Sequence, residues 1–470
     1  MDIDRPAVGS TGHHAGRPVR CRTVSTRGRS RVRRLTTGTM VVAVLCVAGC
    51  TKVSSSTGTS RPTATTSSAS TFVSGSPWSG SLVPVALPLP VNSAAAVTCA
   101  TASDCWAVGS TVGSDGAPNG AAIIATNNGG MTWTVQAVPA TVGFLSAIAC
   151  STRRQCVAMG QGQGTQGVAI TTVNGGTTWL QTTLPTAVTD VTAVTCQAGV
   201  QCMAVGSTDA GDVALTSSGA SSPWTQVGSL PTGIEGVRSI SCVGATDCWA
   251  TGYTLLNADH VSGQVVQTAT GGTSWLTLPV PQAAGYLNGV SCVVGPVDQA
   301  GALPTTTVAP APTTTGVTAV GSAPSTSTTV PAPTSTTTST VPAPAGAGDA
   351  GVRCAVVGTT SATVVGIRSG RALIFTTDNG GATWADQTVS ATAASLLGVS
   401  CTAVHTCLSV GNTTAATTPA GLLVFTGSTD RPWSRPTVLT QPQSLTGVTC
   451  VSTTQCVVVG ESVTDHLAAP

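Results

Sequence analysis

The chain reads as all-β, on three observations. Charged residues make up only 8% of 470 residues, while 54 glycines interrupt stretches rich in Val, Thr, Ser and Ala; this composition suits short strands and turns better than amphipathic helices. The stretch VTCATASDCWAVG, from Val97 to Gly109, sets two cysteines six positions apart ahead of an apolar run ending in glycine, and close variants of it recur along the chain. The first cysteines of the successive pairs lie 51, 46, 46, 50, 109 and 49 residues apart, about the length of a four-stranded propeller blade. These periods predict a seven-bladed β-propeller whose N- and C-terminal segments share one blade.

The elements follow in chain order. Residues 1–49 read as a signal peptide: nine of the nineteen basic residues fall here, followed by the apolar run MVVAVLCVAG, Met40 to Gly49. That run is shorter than the roughly 20 residues a membrane-spanning helix needs. The order Val47-Ala48-Gly49-Cys50 resembles the lipobox of bacterial lipoproteins, which implies that Cys50 carries lipid and anchors the chain to the outer surface of the cell membrane. Residues 50–70 are a Ser/Thr tract with too little apolar surface to fold and read as a disordered tether. Residues 71–470 are expected to form the propeller.

Fourteen of the seventeen cysteines fall into pairs. Six have C-x5-C spacing: Cys99/Cys105, Cys150/Cys156, Cys196/Cys202, Cys242/Cys248, Cys401/Cys407 and Cys450/Cys456. Cys292 and Cys354 match in their flanks, GVSC and CAVVG, but are separated by an insertion, whose Pro/Thr/Ser-rich part at about 296–350 is expected to be disordered. Zinc clusters favour C-x2-C spacing with histidine, and only His260, His405 and His466 follow Cys50, so disulfides are expected and no metal or cofactor. Such bonds need an oxidising compartment, in accord with the export signal.

Within each blade the inner strand should enter the first cysteine, the second should follow the second cysteine, and the outer strand should follow a tryptophan. The tryptophans close turns, most clearly TNNGGMTW at Trp133, TVNGGTTW at Trp179 and TDNGGATW at Trp384, with degenerate copies at Trp224, Trp275 and Trp433. These turns resemble the Asp box (BNR repeat) of sialidases and of photosystem II assembly factor propellers. Asn128, Asn174 and Asn379 stand at the acidic position, where a side-chain oxygen can still accept backbone N–H bonds. Trp78 in TFVSGSPW precedes the first hairpin, whereas the last hairpin has no tryptophan turn; pairing these two ends would complete one shared blade.

The resemblance leaves two functional classes. A sialidase-type glycoside hydrolase would need an arginine triad, a tyrosine with a glutamate partner and an acid/base aspartate. After the signal region this chain has two tyrosines, Tyr253 and Tyr286, and two glutamates, Glu235 and Glu461, none in such a context. The first reading is therefore a non-catalytic binding or scaffolding module at the cell envelope, with a protein or glycan partner; the hydrolase is the alternative. Beyond Cys50, ten basic residues face fifteen acidic ones, a balance of −5 that leaves no basic patch for nucleic acid. Ligand-face candidates lie opposite the cysteine turns: Glu235, Arg238 and Tyr286, with Arg238 just before an inner strand and able to face a central channel.

Overall fold

In the computed structural model the described residues run, with gaps at loops, from 68 to 294 and from 351 to 461; the gaps include 74–81, 361–369, 414–419 and 427–432. The signal peptide, Cys50, most of the tether, Trp78 and the insertion at 296–350 therefore lie outside them.

The protein is an all-β propeller built from repeated antiparallel four-stranded units. The first described strands are β1 (Ser68–Val73) and β2 (Leu82–Ala86), so strand pairing among the described residues starts inside the stretch expected to be tether. The first complete unit is β3 (Val91–Cys99), β4 (Cys105–Val112), β5 (Pro118–Thr126) and β6 (Thr134–Gln136). The second is β7 (Val142–Cys150), β8 (Cys156–Gly162), β9 (Gly167–Thr172) and β10 (Leu180–Thr182), and the third is β11 (Val188–Cys196), β12 (Cys202–Thr208), β13 (Gly211–Ser217) and β14 (Thr225–Ser229). Next come β15 (Glu235–Cys242), β16 (Cys248–Asn257), β17 (His260–Thr268) and β18 (Leu276–Leu278), then β19 (Ala284–Val294), β20 (Val352–Thr360), β21 (Ala372–Thr377) and β22 (Ala385–Gln387). A sixth unit holds β23 (Ala393–Ala403), β24 (Thr406–Thr413), β25 (Gly421–Thr426) and β26 (Thr437–Val438), and the last described strands are β27 (Ser444–Ser452) and β28 (Gln455–Glu461).

The first and last described strands meet. β28 pairs with β27 on one side and with β1 on the other, with Ser70 opposite Val458 and Val73 opposite Gln455, and β1 pairs in turn with β2. A single pair, Glu461 with Ser93, joins these four strands to β3 in one eight-stranded sheet. The other five units are separate four-stranded sheets.

Disulfides close the turn between the first two strands of each hairpin: Cys99–Cys105, Cys150–Cys156, Cys196–Cys202, Cys242–Cys248, Cys292–Cys354, Cys401–Cys407 and Cys450–Cys456. Cys292 and Cys354 hold β19 and β20 in the same register as the short hairpins although 62 positions separate them.

Apolar side chains alternate between the two faces of every sheet, so each sheet contributes to two cores. One core packs Trp106 and Ile123 against Leu145, Ile170 and Trp179 of the next sheet; another packs Val157 and Met159 against Val191, Leu215 and Trp224. The same arrangement continues to Leu408 and Val410 against Leu445 and Val458, and then to Val457 and Val459 against Ala94, Ile124 and Trp133 of the first unit. Tryptophans seal these seams, as expected for large flat side chains between sheets.

The tryptophan turns are held by their own side chains. Asn174 Oδ1 accepts the Thr178 N–H at 3.0 Å and the Thr172 hydroxyl at 2.9 Å, Thr172 Oγ1 accepts the Gly176 N–H at 2.8 Å, and Asn128 and Asn379 repeat the pattern. In the degenerate copy, Thr270 Oγ1 accepts the Ser274 N–H at 3.0 Å in place of the asparagine. Gly175 and Gly176 have φ of 74° and 89°, left-handed backbone that explains the glycine pair in this turn.

Candidate functional site

The inner strands place one special residue each. In β3, β7, β11, β19, β23 and β27 the pairing register slips at the residue four positions before the first cysteine, forming a β-bulge, and in β15 a wider irregularity between Glu235 and Ser239 includes the equivalent residue, Arg238. A bulge re-aims its side chain out of the ladder. The seven bulged residues are Ala95, Ser146, Thr192, Arg238, Asn288, Leu397 and Thr446, and all of them line one cavity of about 250 Å³ at the centre of the inner strands. Four residues of strand put this layer roughly 13 Å from the cysteine turns.

The bulge also accounts for the glycine in the repeated run after the second cysteine. At Gly109, Gly160, Gly358, Gly411 and Gly460 a Cβ would overlap the carbonyl oxygen of Ser93, Phe144, Tyr286, Ser395 or Ser444, the bulged backbone opposite. Glycine permits that close approach.

Neutral bulge residues tie neighbouring units together. The Ser146 hydroxyl donates to Val191 O at 2.6 Å, Asn288 Nδ2 donates to Leu396 O at 2.9 Å, and the Thr446 hydroxyl donates to Ala94 O at 2.5 Å. The third bond joins the last hairpin to the first in the same way as the others join consecutive ones. At the cysteine end, Gln455 Nε2 donates to Ala102 O at 2.5 Å, matching the bond at 2.7 Å from Gln201 to Ala245 O.

Arg238 departs from this pattern. Its guanidinium carbon lies 5.5 Å from the Tyr253 ring centroid and 5.4 Å from that of Tyr286, within cation–π range of both. The two tyrosine rings meet edge-to-face at 4.9 Å and 70°. Gly236, at φ 66°, lies so close to the Tyr253 ring that a Cβ would press on it, and the Val237 N–H is held by Asp212 Oδ2 from β13 at 3.2 Å. Asp212 is fixed in turn by the Ser207 hydroxyl at 2.8 Å. The third and fourth units thus shape the backbone that presents Arg238, and the fifth supplies the Tyr286 ring beside its guanidinium.

Two further cavities open from this point and share Arg238, Asn288, Leu397 and Thr446 with the central one. One, of about 360 Å³, adds Tyr286, Ser395, Asn412 and Ser444; the other, of about 420 Å³, shares Thr192 as well and adds Gly236, Val237 and Tyr253. Among the described residues lining the three cavities, Arg238 is the only charged side chain. Asp190, in β11, is half-buried; burial raises its carboxyl above the usual carboxylate range, partly offset by the Val191 N–H bond to its Oδ1 at 2.8 Å.

The expectations for the ligand face need correction in detail. Arg238 lies within β15 instead of just before it, and Tyr286 lies within β19. Glu235 is exposed at the start of β15, opposite Tyr253 in the backbone ladder, and lines none of these cavities, so the neighbouring Glu235 and Arg238 of the sequence do not act together here. Tyr253, Asn288 and Asp212 are the contributors that the sequence did not mark as a group. Tyr253 joins the group through strand pairing, which sets it opposite Glu235, the residue before Gly236.

No protein-family model and no characterised protein sequence matches this chain. Solved structures resemble it in shape at low identity. YCF48 bound to D1 peptide aligns with a TM-score of 0.48 and 12% identity over 80% of this chain and 91% of that one. YCF48 from Cyanidioschyzon merolae gives 0.44 and 12% over 80% and 95%. The GH74 xyloglucanase from Xanthomonas campestris gives 0.43 and 12% over 73% of this chain and 47% of that one. These mixed likenesses assign no activity to this chain.

Proposed function

We propose that the protein is a closed, seven-bladed propeller, held to the outer face of the cell membrane by lipid on Cys50, that binds a partner at the channel mouth around Arg238 without catalysing a reaction. Closure is supported by the pairing of β1 with β28 and by the Thr446 to Ala94 bond, which repeats the link between consecutive units. The observation that carries the binding reading is the Arg238, Tyr253 and Tyr286 cluster, the one place where the repeated bulge presents a cation between aromatic rings. A cleft with a few converging polar groups and aromatic walls suits ligand capture. Hydrolysis of a glycosidic bond would call for paired carboxylates, and the described residues lining the mouth supply one arginine and neutral groups.

Photo-crosslinking tests this in producing cells. A photoreactive residue at position 286 should form a discrete adduct with a partner, while one at Arg153, in the turn between Cys150 and Cys156, should not. Adducts only from position 153 would contradict the mouth as the binding face. Cys50→Ala should release the chain from the membrane fraction; unchanged membrane association would remove the lipid anchor from the account.

A further inference from the structure

We infer that the channel mouth recognises a single carboxylate group on its ligand, taken by the Arg238 guanidinium; this rests on the reading of the mouth as the binding site. A guanidinium presents paired N–H donors that match a carboxylate in a planar, two-point bond. Structural arginines usually have such a partner already. Here, among the described residues, no carboxylate pairs with Arg238, and its neighbours are the rings of Tyr253 and Tyr286. The rings hold the guanidinium without neutralising it, so its donors remain available.

The surroundings favour one negative charge over two. A phosphate or sulfate dianion is usually met by several cations, whereas the mouth offers one cation with neutral groups: Asn288, Ser395, Asn412, Ser444 and Thr446. The charge of −5 on the chain beyond Cys50 adds no long-range attraction for a polyanion. The cavity of about 360 Å³ beside Tyr286 accepts a group the size of one sugar ring or one amino-acid residue. Its hydroxyl and amide lining can bond the rest of such a group, and the tyrosine ring gives it a flat wall. The carboxylate can therefore come from an acidic sugar or from the end of a polypeptide.

The chain has two tyrosines in total, and both are in this cluster. The full chain in detergent, labelled with 3-fluorotyrosine, should therefore give two fluorine resonances, each reporting on the site. Glucuronate and N-acetyl-Ala-Ala acid should shift them in a saturable way, while glucose and the dipeptide amide should not. A response to one acid alone supports the inference and identifies the source. Arg238→Gln should weaken binding about tenfold or more, as expected for losing a paired charged bond, with thermal unfolding little changed because the side chain is exposed. Equal shifts from the acids and their neutral counterparts would overturn carboxylate recognition while leaving the mouth as the binding site. No response to any probe at millimolar concentration would also overturn it, and the adduct from position 286 would then decide the mouth reading separately.

Discussion

The sector around β15 and the sector around β23 share one backbone plan and differ in what it presents. Both inner strands slip in register ahead of a cysteine, at Leu397 in β23 and between Glu235 and Ser239 in β15, and both second strands carry a glycine facing that irregularity. In the β23 sector the bulged residue is Leu397, and a Cβ on Gly411 would overlap Ser395 O. In the β15 sector the residue is Arg238, the backbone turns through positive φ at Gly236, and the facing Gly252 has more room, with Gly236 O at 3.3 Å from its would-be Cβ. The comparison teaches that repetition in this chain encodes architecture, and that function is to be sought where one copy departs from the plan.

The largest expected effect concerns the disulfides that both sectors share. Replacing Cys292 and Cys354 with alanine should cost about 4 kcal/mol, against about 2 kcal/mol for Cys150 and Cys156, because a crosslink across 62 positions restricts the unfolded chain more than one across 6. Denaturant melts of unreduced protein measure both; equal losses would show that the long loop brings no extra constraint.

Next comes the glycine contrast itself. Gly411→Ala should destabilise by about 3 kcal/mol, since backbone must move to admit the methyl group. Gly252→Ala should cost about 1 kcal/mol or less, because its neighbours need to give only a few tenths of an ångström. Equal losses would show that the backbone facing Gly252 is as tight as that facing Gly411.

The tryptophan turns should respond more mildly. Asn174→Ala removes the acceptor for the Thr178 N–H and should cost about 1 kcal/mol, whereas Asn174→Asp keeps an acceptor oxygen and should cost less. Thermal unfolding of the two variants decides it, and an equal loss in both would shift the credit from the oxygen to the amide group.

The smallest effect is electrostatic. The folded state raises the Asp190 carboxyl above its ordinary value, so the folded protein binds that proton more tightly than the unfolded chain. Stability from this group is complete below the ordinary carboxylate value and is lost as pH rises through the raised one. Asp190→Asn, which keeps an acceptor for Val191 N–H, should therefore gain on the wild type between acid and neutral pH. Urea midpoints at pH 3 and pH 7 test it; a variant that falls behind at neutral pH would contradict the direction.

The architecture was legible because it is periodic. Cysteine spacing located the hairpins, glycine and tryptophan located the turns, and the unmatched ends implied the contact seen between β1 and β28. The site was legible only in part, since its signal is a departure seen once. Arg238 stood out as a cation ahead of an inner strand, and Tyr286 as a rare aromatic. Glu235 was misleading because a bulge separates neighbours in sequence, sending Arg238 to the channel and leaving Glu235 at the exposed strand start. Tyr253 and Asp212 were hidden because their roles come from pairing and packing across units, which linear spacing does not reveal.

Alanine substitution through the set of bulged residues tests the central claim most directly. Ser146, Thr192, Arg238, Asn288, Leu397 and Thr446 would each be changed to alanine in full-length, fluorotyrosine-labelled protein, and the saturable response to glucuronate and to N-acetyl-Ala-Ala acid compared with thermal stability. The account predicts the largest loss of binding at Arg238 with little change in stability, and at Ser146 and Thr446 a loss of stability from broken links between units. Equal loss of binding at Ser146 and Arg238, in proteins that remain folded, would contradict the claim that the one divergent sector carries the function.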